Sequence, residues 1–75
     1  MNKIDTLKTA LLNDAFLFLV DNKNTGPREV FGTIMPHLID VEEPTDPIAE
    51  DEIRYFNLPH HKWETINIDE FVYMY

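Results

Sequence analysis

The chain contains no cysteine and no serine, only two glycines, and six lysines and arginines against fourteen aspartates and glutamates. Each shortage removes a class of protein. Without cysteine there is no disulfide framework, no zinc ribbon and no thiol nucleophile. Without serine there is no nucleophile elbow. Gly26 and Gly32 alone cannot build a glycine-rich loop around a phosphate. A formal net charge of −8 leaves too few cations for direct binding to nucleic acid, whose phosphates need them. Binding a protein that itself binds nucleic acid is not excluded. Seventy-five residues leave no room for two ordinary domains, or for a Rossmann unit, a TIM barrel or a kinase.

Long apolar runs are missing too. The longest covers residues 15–20, against the roughly 20 residues needed to cross a bilayer. The first residues lack the apolar run and small-residue cleavage site of a signal peptide, and Asn2 stands where myristoylation needs glycine. The expectation is a soluble cytoplasmic protein, in the host cytoplasm if a phage encodes it. What the chain does have is a normal hydrophobic share, 44%, which argues for folding despite the charge. We therefore expect one small acidic domain over residues 1–75. Its core is marginal for its size, so apolar surface covered by a partner or a second copy stabilises it.

Charge is unevenly placed. Residues 1–39 hold four cations and four acids and are neutral. Residues 40–75 hold Arg54 and Lys62 against ten acids, so the whole net charge lies there. Seven of those ten, Asp40, Glu42, Glu43, Asp46, Glu50, Asp51 and Glu52, fall in a 13-residue window free of lysine and arginine.

Periodicity predicts a mainly α fold of about three helices. Ile4, Leu7, Leu11, Leu12, Ala15, Phe16 and Leu19 recur at helical steps after a cap at Asn2 or Asp5, predicting a helix over residues 4–20. Residues 21–26 carry turn chemistry. Pro27 fits the first position of a second helix with stripe Val30, Phe31, Ile34, Met35 and Leu38, ended or kinked by Pro36. Asp46 and Pro47 look like the cap and first position of a third, with Glu50, Asp51 and Glu52 complementing its dipole and Ile48, Ile53 and Phe56 facing inward. Residues 62–68 alternate like a strand, residues 67–70 have capping-box spacing, and residues 71–75 are rich in β-formers; this tail is strand or helix. The alternative is α+β: two helices followed by a small antiparallel meander from residues 53–58, 63–68 and 71–75.

Chemistry-bearing constellations are few. Residues 21–26 resemble the start of a calcium loop, but Lys23 occupies the third ligand position and Gly32 the twelfth. His60, His61 and Glu64 are close in sequence, while His37 is distant, so no three-ligand metal centre is expected. Fourteen carboxylates guarantee chance pairs, and so small a core leaves little room for a pKa-shifting cleft. The expectation is no enzyme and no cofactor. The three histidines, His37, His60 and His61, read as surface residues among many acids.

The acidic window remains. A helix dipole accounts for Glu50, Asp51 and Asp46 but not for Asp40, Glu42 and Glu43, and concentrated like charge costs stability through self-repulsion. Such a surface is useful against a cationic groove, where it speeds association and selects partners. Carboxylates on a rigid scaffold can stand where nucleic-acid phosphates bind. Six of the nine aromatics lie in the same half, Tyr55, Phe56, Trp63, Phe71, Tyr73 and Tyr75; they read first as core material, and alternatively some, Tyr73 and Tyr75 especially, as interface anchors rimmed by acids.

Shortness, acidity and lack of cysteine are shared with phage-encoded inhibitors of host enzymes, including anti-CRISPR proteins and DNA mimics. They are shared too with bacterial immunity proteins that block nuclease toxins. Asp51-Glu52-Ile53-Arg54-Tyr55-Phe56-Asn57-Leu58-Pro59 resembles the acidic, double-aromatic, proline-ended stretch by which colicin-nuclease immunity proteins bind. That likeness covers nine of 75 residues and departs at Arg54 and Phe56, so no residue role follows from it.

The leading expectation is an acidic, protein-binding inhibitor or modulator that docks on a basic, nucleic-acid-processing site of a larger protein, as monomer or homodimer. Its partner-binding residues are Asp40, Glu42, Glu43, Asp46, Glu50, Asp51, Glu52, Tyr55, Tyr73 and Tyr75. The alternatives are an assembly subunit that homo-oligomerises, and an immunity-type protein.

Overall fold

The N-terminal helix forms as its periodicity predicts, but it stops early. A computed structural model describes residues 3–75, so the expected cap at Asn2 lies outside the described residues. Helix α1 runs Lys3–Asn13. Asn13 ends it by donating from its side chain to the Thr9 carbonyl at 2.8 Å, and Asp14 accepts the Ala15 N–H at 2.8 Å. These local bonds compete with further helical ones.

After α1 the regular elements are five strands and two 3-10 turns, Pro36–Leu38 and Ile68–Glu70. The strands are β1 (Phe16–Asn22), β2 (Gly26–Thr33), β3 (Glu52–Asn57), β4 (Lys62–Asn67) and β5 (Phe71–Met74). They form one antiparallel sheet in the order β4-β3-β2-β1-β5. The fold is therefore a small α+β domain, and the mainly α expectation is wrong. Three readings fail. The helix over residues 4–20 breaks because Phe16, Phe18 and Val20 turn inward while Leu17, Leu19 and Asp21 turn outward, a period of two. The helix after Pro27 is β2, where proline sits at the strand's start, as strands tolerate. The helix after Pro47 is absent; residues 39–51 are an irregular exposed loop that enters β3 at Glu52.

The alternative meander comes closer but differs in connection. Its three segments become β3, β4 and β5, yet β5 pairs with β1 rather than β4, and only one α-helix accompanies them. The turn at residues 21–26 does turn, closing the β1–β2 hairpin. Gly26 takes φ +80°, a left-handed conformation that glycine adopts at little cost, and Asn22 accepts the Asn24 N–H at 2.8 Å. The capping box at residues 67–70 is present, opening a 3-10 turn into β5.

One sheet face packs on α1. Leu7 and Leu11 meet Phe18, Val20, Val30, Ile53, Tyr55 and Ile66, all buried. Burying each such side chain contributes roughly 1.5–3 kcal/mol. Phe18 and Tyr55 meet edge to face, centroids 5.5 Å apart. Thr33 ties helix to sheet: its hydroxyl lies 3.1 Å from the carbonyls of Leu11 and Asp14 and accepts the Met35 N–H at 3.0 Å. The register puts Leu17, Leu19, Phe31, Phe56, Trp63 and Tyr73 on the opposite face.

Candidate protein-docking surfaces

The opposite face is covered on one half only. Over β3 and β4 lies the acidic loop, drawn down as a strap by three side chains. The Trp63 indole N–H donates to the Val41 carbonyl at 2.9 Å. Arg54 donates to the Pro44 carbonyl at 2.7 Å and to the Asp46 carbonyl, and stands 3.7 Å from Glu43. His61 Nε2 lies 2.9 Å from Asp40 Oδ1. Phe56 stacks edge-on to both His61 and Trp63 beneath. His61 sits at φ +55°, an uncommon conformation for a residue with a Cβ, and places its ring at the strap. One guanidinium, one imidazole and one indole thus turn an acidic loop into a layer of the fold.

This arrangement divides the acids. Asp40 and Glu43 serve as anchors. Glu52 accepts the Ala49 N–H at 2.9 Å, and Asp51 accepts from the Asn67 side chain at 2.9 Å. The carboxylates of Glu42, Asp46 and Glu50 are exposed and make no hydrogen bond or ion pair among the described residues. Seven acids within 13 residues thus yield three unengaged ones on the strap. Tyr55, expected at an interface, is a core residue with no exposed surface.

Under the strap is a cavity of about 210 Å³ lined by Ile34, Pro36, Ile39, Val41, Glu43 and Trp63.

The other half of the face is bare. Leu17 stands opposite Phe31, and Leu19 stands between Glu29 and Tyr73. Leu17, Phe31, Tyr73 and Tyr75 are exposed, Tyr75 by 55%. The rings of Tyr73 and Tyr75 stack edge to face with centroids 4.9 Å apart. Hydrogen bonding to Tyr73, then to Glu29, raises the Tyr75 hydroxyl above the usual tyrosine range. Tyr73 and Tyr75 were legible as interface candidates; Leu17 and Phe31 were not, because helical spacing hid their alternation.

On the α1 side, a third group gathers around Glu64, which is 17% exposed. Its carboxylate accepts from the Tyr55 hydroxyl at 2.8 Å and the Asn57 amide at 3.0 Å. Lys62, Arg28 and His60 lie 3.7 to 3.9 Å away. Burial pushes the Glu64 pKa up, but the bonds from Asn57 and Tyr55 and the charges of Arg28 and Lys62 outweigh it, so the net direction is down. Burial first, then Glu64, pushes the Tyr55 hydroxyl well above the usual tyrosine range. A carboxylate held ionised this way is a weak base and no acid near neutral pH. The group joins β2, β3 and β4. Among the described residues no cluster of three histidines or acids has metal-binding geometry.

Among the described residues no helix is long and apolar enough to cross a membrane. No family model matches the chain, and comparison with curated proteins and with solved structures finds no match.

Proposed function

We propose that the protein works by association, as a small non-enzymatic assembly module whose bare sheet face seats the same face of a second copy. The observation that carries this reading is the half-covered face: the strap closes the β3–β4 half, while Leu17, Phe31, Tyr73 and Tyr75 stay open on the β5–β1–β2 half. Phe31, Tyr73 and Tyr75 are 40, 46 and 55% exposed. At about 150–250 Å² per aromatic side chain, they offer roughly 300 Å² of ring surface. That is the size of functional patches, but below the roughly 800 Å² per partner of a standard interface. The association is therefore weak and concentration-dependent.

Charge permits it. Neighbouring strands lie about 4.8 Å apart, so β5 is about 14 Å from β3, beyond the roughly 8 Å Debye length at physiological salt. A twofold axis parallel to the strands sends the two straps to opposite ends of the dimer. Sedimentation from about 1 μM to about 1 mM tests the reading. Mass rises from one copy towards two in the wild type and stays at one in Leu17→Lys. A wild type that remains single throughout contradicts it.

A second reading keeps the acidic surface as the docking element, against a basic, nucleic-acid-processing site of a larger protein, in the manner of an inhibitor or an immunity protein. Its support is the unengaged trio Glu42, Asp46 and Glu50 on an anchored strap. Binding that is lost on charge reversal of these three, and in high salt, supports it.

A further inference from the structure

The cavity beneath the strap combines two kinds of surface that one ligand group needs together. Ile34, Pro36, Ile39 and Val41 form apolar walls, Trp63 adds an aromatic one, and the Glu43 carboxylate stands at the rim, its side chain 56% exposed. At about 210 Å³ the cavity is smaller than the roughly 300–1,000 Å³ of small-molecule sites and suits one long side chain. We propose that it is a socket for an arginine side chain presented by a basic segment of a partner protein.

The chemistry fits at each point along such a side chain. The methylene stem lies on Ile34, Ile39 and Val41, as cationic side chains bury their stems against apolar surface. The planar guanidinium meets the Trp63 ring, whose plane is fixed by the indole N–H bond to Val41 and by edge-on stacking against Phe56. Glu43 takes the charge. Its present partner, Arg54, stands 3.7 Å away, too far for a direct hydrogen bond, and directs two of its N–H groups at the carbonyls of Pro44 and Asp46, so Glu43 retains acceptor capacity. Around the socket, Asp40 and Glu42 add negative charge, and His61 faces Asp40. Arginine suits the site better than lysine because its flat, weakly hydrated head both stacks and forks onto a carboxylate.

This inference rests on the second reading, in which the acidic surface docks on a basic partner, and it narrows that reading from a field to a pocket. The probe is a hexa-arginine peptide, with hexa-lysine as its control. Trp63 is the chain's one tryptophan, so its fluorescence reports on the socket directly. Wild type titrated with hexa-arginine is expected to change Trp63 emission in step with peptide anisotropy. Glu43→Gln is expected to weaken binding about fivefold. Glu50→Gln removes the same charge away from the cavity and is expected to change affinity less than twofold. Ile39→Phe, which intrudes on the cavity without altering charge and leaves Trp63 the one tryptophan, is expected to suppress the emission change, with circular dichroism confirming that the variant is folded. Equal losses from Glu43→Gln and Glu50→Gln, with silent Trp63 emission, overturn the socket and leave the acidic reading standing. Hexa-lysine binding as tightly as hexa-arginine overturns the arginine assignment. Failure of both peptides to bind wild type at low salt overturns the socket and the acidic reading together.

Discussion

The ring of Tyr55 lies against the bare backbone of Gly32: a Cβ built on that glycine stands 2.8 Å from Tyr55 Cδ2 and 3.2 Å from the Phe56 carbonyl oxygen. The contact falls where the sheet is narrowest, because β2 and β3 pair only through Gly32 with Asn57 and Thr33 with Phe56. Two hairpins meet at this joint, and the absence of a side chain lets them approach. Gly32→Ala is therefore expected to cost about 1–3 kcal/mol, as overpacking in a dense core does. A lowered urea midpoint with an unchanged slope reports it; an unchanged midpoint contradicts the account of the joint.

Glu64 fastens the same joint from the α1 side. Glu64→Gln keeps the shape but loses the charge that Tyr55, Asn57 and Arg28 serve, and is expected to cost about 1–3 kcal/mol at pH 7. The pH dependence has a definite sign. Because the folded value is lowered from 4.5, wild-type stability from this group is present above that value and is lost as the pH falls through the lower folded one. As the pH falls from about 5, the stability of Glu64→Gln should fall less than that of wild type. Parallel acid profiles would contradict the assignment.

Thr33→Val preserves volume and removes the hydroxyl that bridges Leu11, Asp14 and Met35. Two carbonyls and an N–H lose a partner, at an expected cost of about 1–3 kcal/mol. Hydrogen exchange should accelerate most at Met35, whose N–H donates to that hydroxyl.

Arg54→Met removes the charged anchor of the strap and keeps most of its stem against the sheet. Exchange and proteolysis are expected to rise over residues 42–50 while β1, β2 and β5 stay protected. Uniform loosening would mean that the strap is part of the core rather than a cover laid over half a face.

How much of this was legible varied with the range of the contacts involved. Local chemistry could be read directly: the early turns of α1, the Asn22–Gly26 turn and the Asn67–Glu70 capping box each depend on residues within four positions of one another. Residues 16–20 could not be decided locally, since five consecutive apolar residues satisfy a helical stripe and a strand alike. Pro27 and Asp46 misled for one reason: a residue that opens a helix also opens a strand or a loop. The pairing of β5 with β1 bridges about fifty residues and left no local trace. The acidic run was plain in the sequence, yet its meaning changed once Arg54, His61 and Trp63, lying outside the run, pinned it down. Tyr55 was misplaced because a tyrosine next to acids looks like a surface residue, whereas its hydroxyl has a half-buried carboxylate for company.

The central claim, that the bare β5–β1–β2 face seats a second copy, is tested most directly by a mixed sample of isotope-labelled and unlabelled chains at high concentration. An isotope-filtered NOE experiment on it reads only contacts between copies. The account predicts cross-peaks from the Tyr73 and Tyr75 rings of one chain to the Leu17 and Leu19 methyl groups of the other. Intermolecular cross-peaks confined to residues 40–52, or none at all, would contradict it.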